Sequence, residues 1–164
     1  MTFEELTEGY RETTPILLHI KLTEYDDSFA KYIAESGLPI IPGVVSLDML
    51  RCFSKYFSAE NILAFLPVAN MAEEYYKKGA GIIRLWEQWL TDITPRDVKR
   101  VCPDAQVYIM ACNLQESPFE KMSLGSMDGS WESLDKCKKL GADGVLLNDI
   151  EMALSWKNSN TNMK

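Results

Sequence analysis

His19 and Lys21 are the first residues in this chain whose types and spacing could do chemistry. They stand near the end of residues 16–22, and the remaining five residues of that run are all apolar. Such a run predicts a buried strand, and in parallel α/β folds the residues at the carboxyl end of a strand line the functional face. An imidazole there can transfer protons or bind a metal ion. A histidine packed at the strand end and an ordinary surface lysine are the competing interpretations.

A second polar pair, Asn148 and Asp149, follows the short apolar run 145–147. Gly141 precedes that run at a position typical of a helix that ends in a left-handed residue. The order of helix end, strand and polar rim is that of a βα unit, so both residues are site candidates by position. Asp149 has an alternative role, because aspartate is a strong N-cap and a helix is predicted to begin near Ile150.

The elements that position these residues are six apolar runs separated by amphipathic helices. The predicted strands are 16–22, 40–45, 62–66, 81–86, 105–112 and 144–147. Pro42 weakens the second prediction, since proline cannot donate to a central ladder. Strands that alternate with helices predict serial βα units, and hence an α/β fold with a parallel sheet.

Composition limits the classes of function. The chain has 164 residues, 46% of them hydrophobic, a formal charge of −7 and a pI of about 4.8. Nucleic-acid surfaces need clusters of Lys and Arg, so we expect no nucleic-acid partner. We also expect no signal peptide and no transmembrane segment. Four widely spaced cysteines favour a reducing, cytoplasmic location, and we expect one domain over 1–156 with a polar tail over 157–164.

Four segments resemble glycerophosphodiester phosphodiesterases, which belong to the phospholipase-C-like superfamily of (β/α)8 barrels. Residues 2–6 resemble the family's "PTLEEvL" helix start, and residues 17–21 resemble its "lnIEIK" strand. Residues 84–89 resemble a "RLWexW" run, and residues 141–149 resemble the closing "GvDGiitD". These segments keep the family's order and cover almost the whole chain. The resemblance implies a TIM-barrel fold that is incomplete, with six of the eight βα units.

The family implies a divalent metal, Ca²⁺ or Mg²⁺, held by carboxylates, and two histidines that act as acid and base on a phosphodiester. Those histidines lie in "HRG" and "E-x-D-x-x-H" motifs on the first two strands, which this chain lacks. His19 stands where the family has a glutamate ligand, so it is the candidate metal ligand here. Lys21 matches a lysine that neutralises phosphate charge.

The resemblance also implies site residues after the later strands. Arg84 would handle phosphate, and Trp86 and Glu87 would form a wall at the glycerol end of the substrate. Asn113 and Asp149 would complete the phosphate and substrate contacts. Packing of Trp86 beneath the rim is the alternative, because most tryptophans are largely buried.

The sequence therefore predicts a glycerophosphodiester phosphodiesterase-like protein that acts on a small phosphodiester. By itself it should hydrolyse that substrate poorly or not at all, because one histidine cannot fill two proton-transfer roles. The alternative is a non-catalytic, truncated barrel that binds a phosphorylated ligand or a partner chain. In that case a second copy or another chain would cover the open edges of the sheet.

Overall fold

The computed structural model describes residues 2–22, 24–111 and 129–161. Six strands in these ranges form one sheet, in which they follow one another in chain order. The strands are β1 Ile16–His19, β2 Ile40–Val44, β3 Leu63–Phe65, β4 Ile82–Trp86, β5 Gln106–Met110 and β6 Gly144–Leu146. All six predicted strands are confirmed, each shorter than the apolar run that predicted it.

Helices alternate with these strands. The described α-helices are α1 Phe3–Gly9, α2 Asp27–Ala34, α3 Leu47–Phe53, α4 Ala72–Lys77, α5 Pro95–Val101, α6 Trp131–Leu140 and α7 Ile150–Thr161. Short 3-10 helices occupy Ala59–Asn61, Ala69–Met71 and Glu87–Thr91. Helix α7 continues to Thr161, through residues that the sequence analysis assigned to a polar tail. The predicted boundary at residue 156 therefore falls inside a helix.

Local side-chain chemistry sets the helix ends. Thr2 and Glu5 form a capping box at the start of α1, as the motif predicts. Thr94 and Asp97 form a second capping box, with Pro95 at the first position of α5. Helix α6 ends at Gly141, whose φ of 85° lies in the left-handed region that glycine adopts without a steric penalty.

The chain forms two compact units, Met1–Ile83 and Arg84–Lys164. In the first unit, β1 and β2 pair in parallel with Ile16 beside Ile40 and His19 beside Gly43. Strand β2 in turn pairs in parallel with β3. The core of this unit is apolar and almost fully buried, and it includes Val44, Met49, Leu50, Phe53, Leu63 and Tyr75.

In the second unit, β5 and β6 pair in parallel, with Tyr108 beside Gly144 and Met110 beside Leu146. Asp143 fixes the entry into β6, because its Oδ2 accepts from the Val107 N–H at 2.7 Å and its Oδ1 pairs with Lys99 at 2.7 Å. The buried core of this unit includes Val98, Cys102, Val107, Ile109, Leu134 and Cys137.

Six parallel strands in chain order, with helices between them, place the protein in the class of incomplete parallel (β/α) barrels. This confirms the fold class predicted from the sequence. It also fixes which ends of the strands are equivalent, because the carboxyl ends of parallel strands share one edge of a sheet.

Candidate functional site

His19 is the last residue of β1, and its exposed imidazole is held by an aromatic ring. The ring of Phe65, the last residue of β3, stacks on it with 3.9 Å between the centroids and 12° between the planes. Phe65 reaches this position because β2 carries Gly43 beside it, where a Cβ would overlap the Phe65 ring. Three neighbouring strand ends thus fix the orientation of one imidazole.

Lys21 lies two residues beyond His19, past the end of β1. Ile20 separates them; it is 4% exposed, and its N–H donates to the Gly43 carbonyl at 3.1 Å. Both His19 and Lys21 are exposed to solvent. The structure therefore places these two predicted site residues in solvent, at and just beyond the carboxyl end of β1.

Arg84 on β4 lies in a different environment, since it is only 4% exposed. Its Cζ is 4.1 Å from the ring centroid of Trp86 and 5.9 Å from that of Trp89. Burial lowers the pKa of Arg84 to about 10, so the guanidinium remains a cation at neutral pH. The two indoles partly offset the lost hydration through cation–π attraction.

Glu87 follows β4 and is 3% exposed, so this predicted site residue is also buried. Lys136 on α6 places its Nζ 3.7 Å from the Glu87 Oε1. A buried carboxylate needs such a cation, because an isolated charge is costly away from water. Trp89, the last residue of the run that resembles "RLWexW", lies beside Arg84, and Lys136 lies beside Glu87, but neither Trp89 nor Lys136 was predicted as a site residue. The spacing of Trp89 three residues after Trp86 could have indicated the first, whereas no local signal marks Lys136.

Asp149 caps α7, as the alternative interpretation held. Its Oδ1 accepts from the Met152 N–H at 2.8 Å, and its carbonyl accepts from the Ala153 N–H at 3.2 Å. Asp149 is exposed, so the cap does not exclude a further role, and its place in a site stays a prediction. Asn113 lies outside the described residues.

The metal expected from the resemblance has no ready-made cage in the described part of the chain. Within residues 2–22, 24–111 and 129–161, no group of three or more His, Cys, Asp or Glu side chains could hold a metal ion. Ca²⁺ takes six to eight oxygen ligands, whereas the ring that stacks on His19 is the phenyl ring of Phe65. An imidazole and a phenyl ring do not fit a hard cation.

The protein is thus an incomplete parallel (β/α) barrel. A histidine that is oriented by Phe65 lies at the carboxyl end of its first strand, and an exposed lysine follows two residues later. No family model matches the sequence, and a comparison with curated proteins also finds no match. The phosphodiesterase resemblance therefore stays a prediction. None of the described helices combines the length and apolar character that crossing a membrane would require.

Proposed function

We propose that this protein is a glycerophosphodiester phosphodiesterase-like barrel that binds a small phosphoester at the carboxyl end of β1. Lys21 would neutralise the phosphoryl oxygens, and His19 would donate a hydrogen bond to one of them. The observation that carries this proposal is the stack of the His19 ring on the Phe65 ring, with 3.9 Å between the centroids, and the exposure of Lys21 two residues further along the chain. An oriented imidazole costs less entropy to use in binding than a freely rotating one.

The same geometry supports binding better than turnover. Cleavage of a phosphodiester uses one group that activates the nucleophile and another that protonates the leaving alkoxide. His19 is the single histidine of the chain, and one imidazole cannot fill both roles at once. We therefore propose that the chain by itself hydrolyses glycerophosphodiesters weakly or not at all.

A titration calorimeter tests the binding step. Glycerophosphocholine should bind the wild type, and Lys21→Gln should weaken binding about tenfold, the cost of losing one hydrogen bond to a charged group. Lys31→Gln is the matched control, because Lys31 is also an exposed lysine of the first unit but lies on α2. Equal affinity of Lys21→Gln and the control would contradict the proposal.

A hydrolysis assay tests the second step. Glycerophosphocholine with added Ca²⁺ or Mg²⁺ should release choline or glycerol phosphate no faster with the protein than with the denatured chain. Turnover that His19→Ala abolishes would show that one imidazole suffices, and that a divalent metal serves a site that the described residues do not form.

A partner chain at the sheet edges is the second candidate function. Strands β1 and β6 end the strand order, and parallel sheets are usually covered or closed at their edges. All three residues of β6 are half-buried, whereas those of β3 are fully buried. Sedimentation should then detect a second copy or a bound chain. We also propose a cytoplasmic location, which the four widely spaced cysteines favour.

A further inference from the structure

The second unit contains a groove that the proposed phosphoester site does not use. Helices α6 and α7 and strand β6 border an open groove of about 520 Å³. This volume is in the range of sites for small molecules, about 300–1,000 Å³. Residues that line it include Leu134 and Lys138 of α6, Val145 and Leu147 at β6, and Trp156 and Lys157 of α7.

The body of the groove is apolar, and one wall of it is held in place. Leu134, Val145, Leu147 and Ala153 contribute aliphatic side chains. The indole of Trp156 donates from Nε1 to Asp135 Oδ1 at 2.8 Å, which restrains the ring at the groove. The groove therefore suits an apolar guest.

Cationic side chains also line this groove. The Lys138 ammonium lies 5.5 Å from the Trp156 ring centroid and donates to Asn160 Oδ1 at 2.9 Å. Lys157 lines the same groove. Asp143 lines it too, but its two oxygens are engaged by Lys99 and by a backbone N–H, both at 2.7 Å. The groove therefore combines an apolar body with a charged lining of two lysines and one aspartate.

We propose that this groove binds an anionic single-chain amphiphile. The alkyl chain lies along Val145 and Leu147 against the Trp156 ring, and the anionic head meets Lys138 and Lys157. Burial of the chain supplies affinity in proportion to its apolar area, and the lysines select an anion over an alcohol of equal length. A fatty carboxylate and a monoalkyl phosphate share this chemistry. The proposal goes beyond phosphoester binding at β1 and uses none of its residues.

Calorimetry with three ligands of one chain length tests the choice of head group. Dodecanoate, dodecyl phosphate and dodecanol are titrated below their micelle concentrations. At least one of the two anions should bind about tenfold more tightly than the alcohol, and the tighter one identifies the head group. Equal affinity for all three ligands, or no binding of either anion, would overturn the proposal.

Charge variants separate the lysines of the groove from general surface charge. Lys138→Gln should weaken binding of the anion about tenfold and leave dodecanol binding unchanged. Lys139→Gln is the matched control, since its exposed side chain belongs to the same helix and does not line the groove. An equal loss in both variants would overturn the proposal, because it would assign binding to unspecific attraction.

A filling variant tests the location. Ala153→Phe places a ring in the groove and should abolish binding of all three ligands. Ser155→Phe adds the same ring at an exposed position of α7 and should bind like the wild type. Wild-type affinity in Ala153→Phe would overturn the proposal, and so would a dimer that Ala153→Phe dissociates when no amphiphile binds. If Ala153→Phe does not fold, as circular dichroism reports, the Lys138→Gln comparison decides.

Discussion

Lys21, just beyond β1, and Arg84, within β4, are both cationic side chains, and they differ in how far water reaches the charge. Lys21 is exposed, as is His19, whose imidazole is oriented by Phe65. Arg84 is 4% exposed and stacks on Trp86. An exposed cation can meet a ligand at small cost, whereas a buried one is already committed to its neighbours. A cationic side chain on or after a strand therefore does not by itself identify a binding residue.

The largest effect on stability is expected when the space that the Phe65 ring occupies is filled. Gly43→Ala should lower the free energy of unfolding by about 1–3 kcal/mol, because the new Cβ overlaps the Phe65 ring and the ring must shift. Urea unfolding measures this change. Gly9→Ala is the control, since nothing lies within 4 Å of a Cβ there. Unchanged stability of Gly43→Ala would contradict the packing that orients His19.

Exchanging lysine and arginine at these two positions tests the difference in burial between Lys21 and Arg84. Arg84→Lys should cost about 1–2 kcal/mol, because a lysine cannot lay a planar guanidinium against Trp86. Lys21→Arg, the reverse exchange at the exposed end, should change stability by less than about 0.5 kcal/mol. Thermal unfolding of both variants checks this order. Equal costs would show that the two ends do not differ in burial as described.

The parallel fold was predictable from apolar runs because each run contains one strand of the sheet, and the helix ends were predictable because caps are local. The accessibility of the site residues was not. Arg84 and Glu87 look like rim residues in the sequence, yet their burial depends on Trp86, Trp89 and Lys136, and Lys136 is 49 positions beyond Glu87. The His19 stack likewise needs Phe65 and a glycine on two other strands.

A smaller effect separates the capping role of Asp149 from any role in a site. Asp149→Ala should lower stability by about 1 kcal/mol, because the Met152 N–H loses its acceptor. Asp149→Asn keeps an acceptor oxygen and should unfold close to the wild type. Chemical denaturation measures both. If the asparagine variant also loses about 1 kcal/mol, the carboxylate charge itself contributes.

The smallest expected effect is the pH dependence that Arg84 causes. Burial lowers its pKa from the ordinary arginine value to about 10, so the unfolded chain binds more protons than the folded one between pH 10 and that ordinary value. The cost of burying the cation is complete below pH 10, and stability therefore rises with pH across that window. Relative to Arg84→Met, the wild type should gain less than about 1 kcal/mol between about pH 8.5 and 10.5.

Arg100→Met is the control for this pH series, because the Arg100 side chain is 76% exposed. The stability difference between this variant and the wild type should stay constant over the same pH range. A constant difference for Arg84→Met as well would contradict the lowered pKa of the buried guanidinium.

We propose that the exposed charge of Lys21, and not the buried charge of Arg84, contacts the phosphoester. The most direct test is the dissociation constant of glycerol phosphate for Lys21→Gln and for Arg84→Lys, measured by calorimetry on folded protein. The account predicts about tenfold weaker binding for Lys21→Gln and a change of less than about twofold for Arg84→Lys. The reverse order would contradict it.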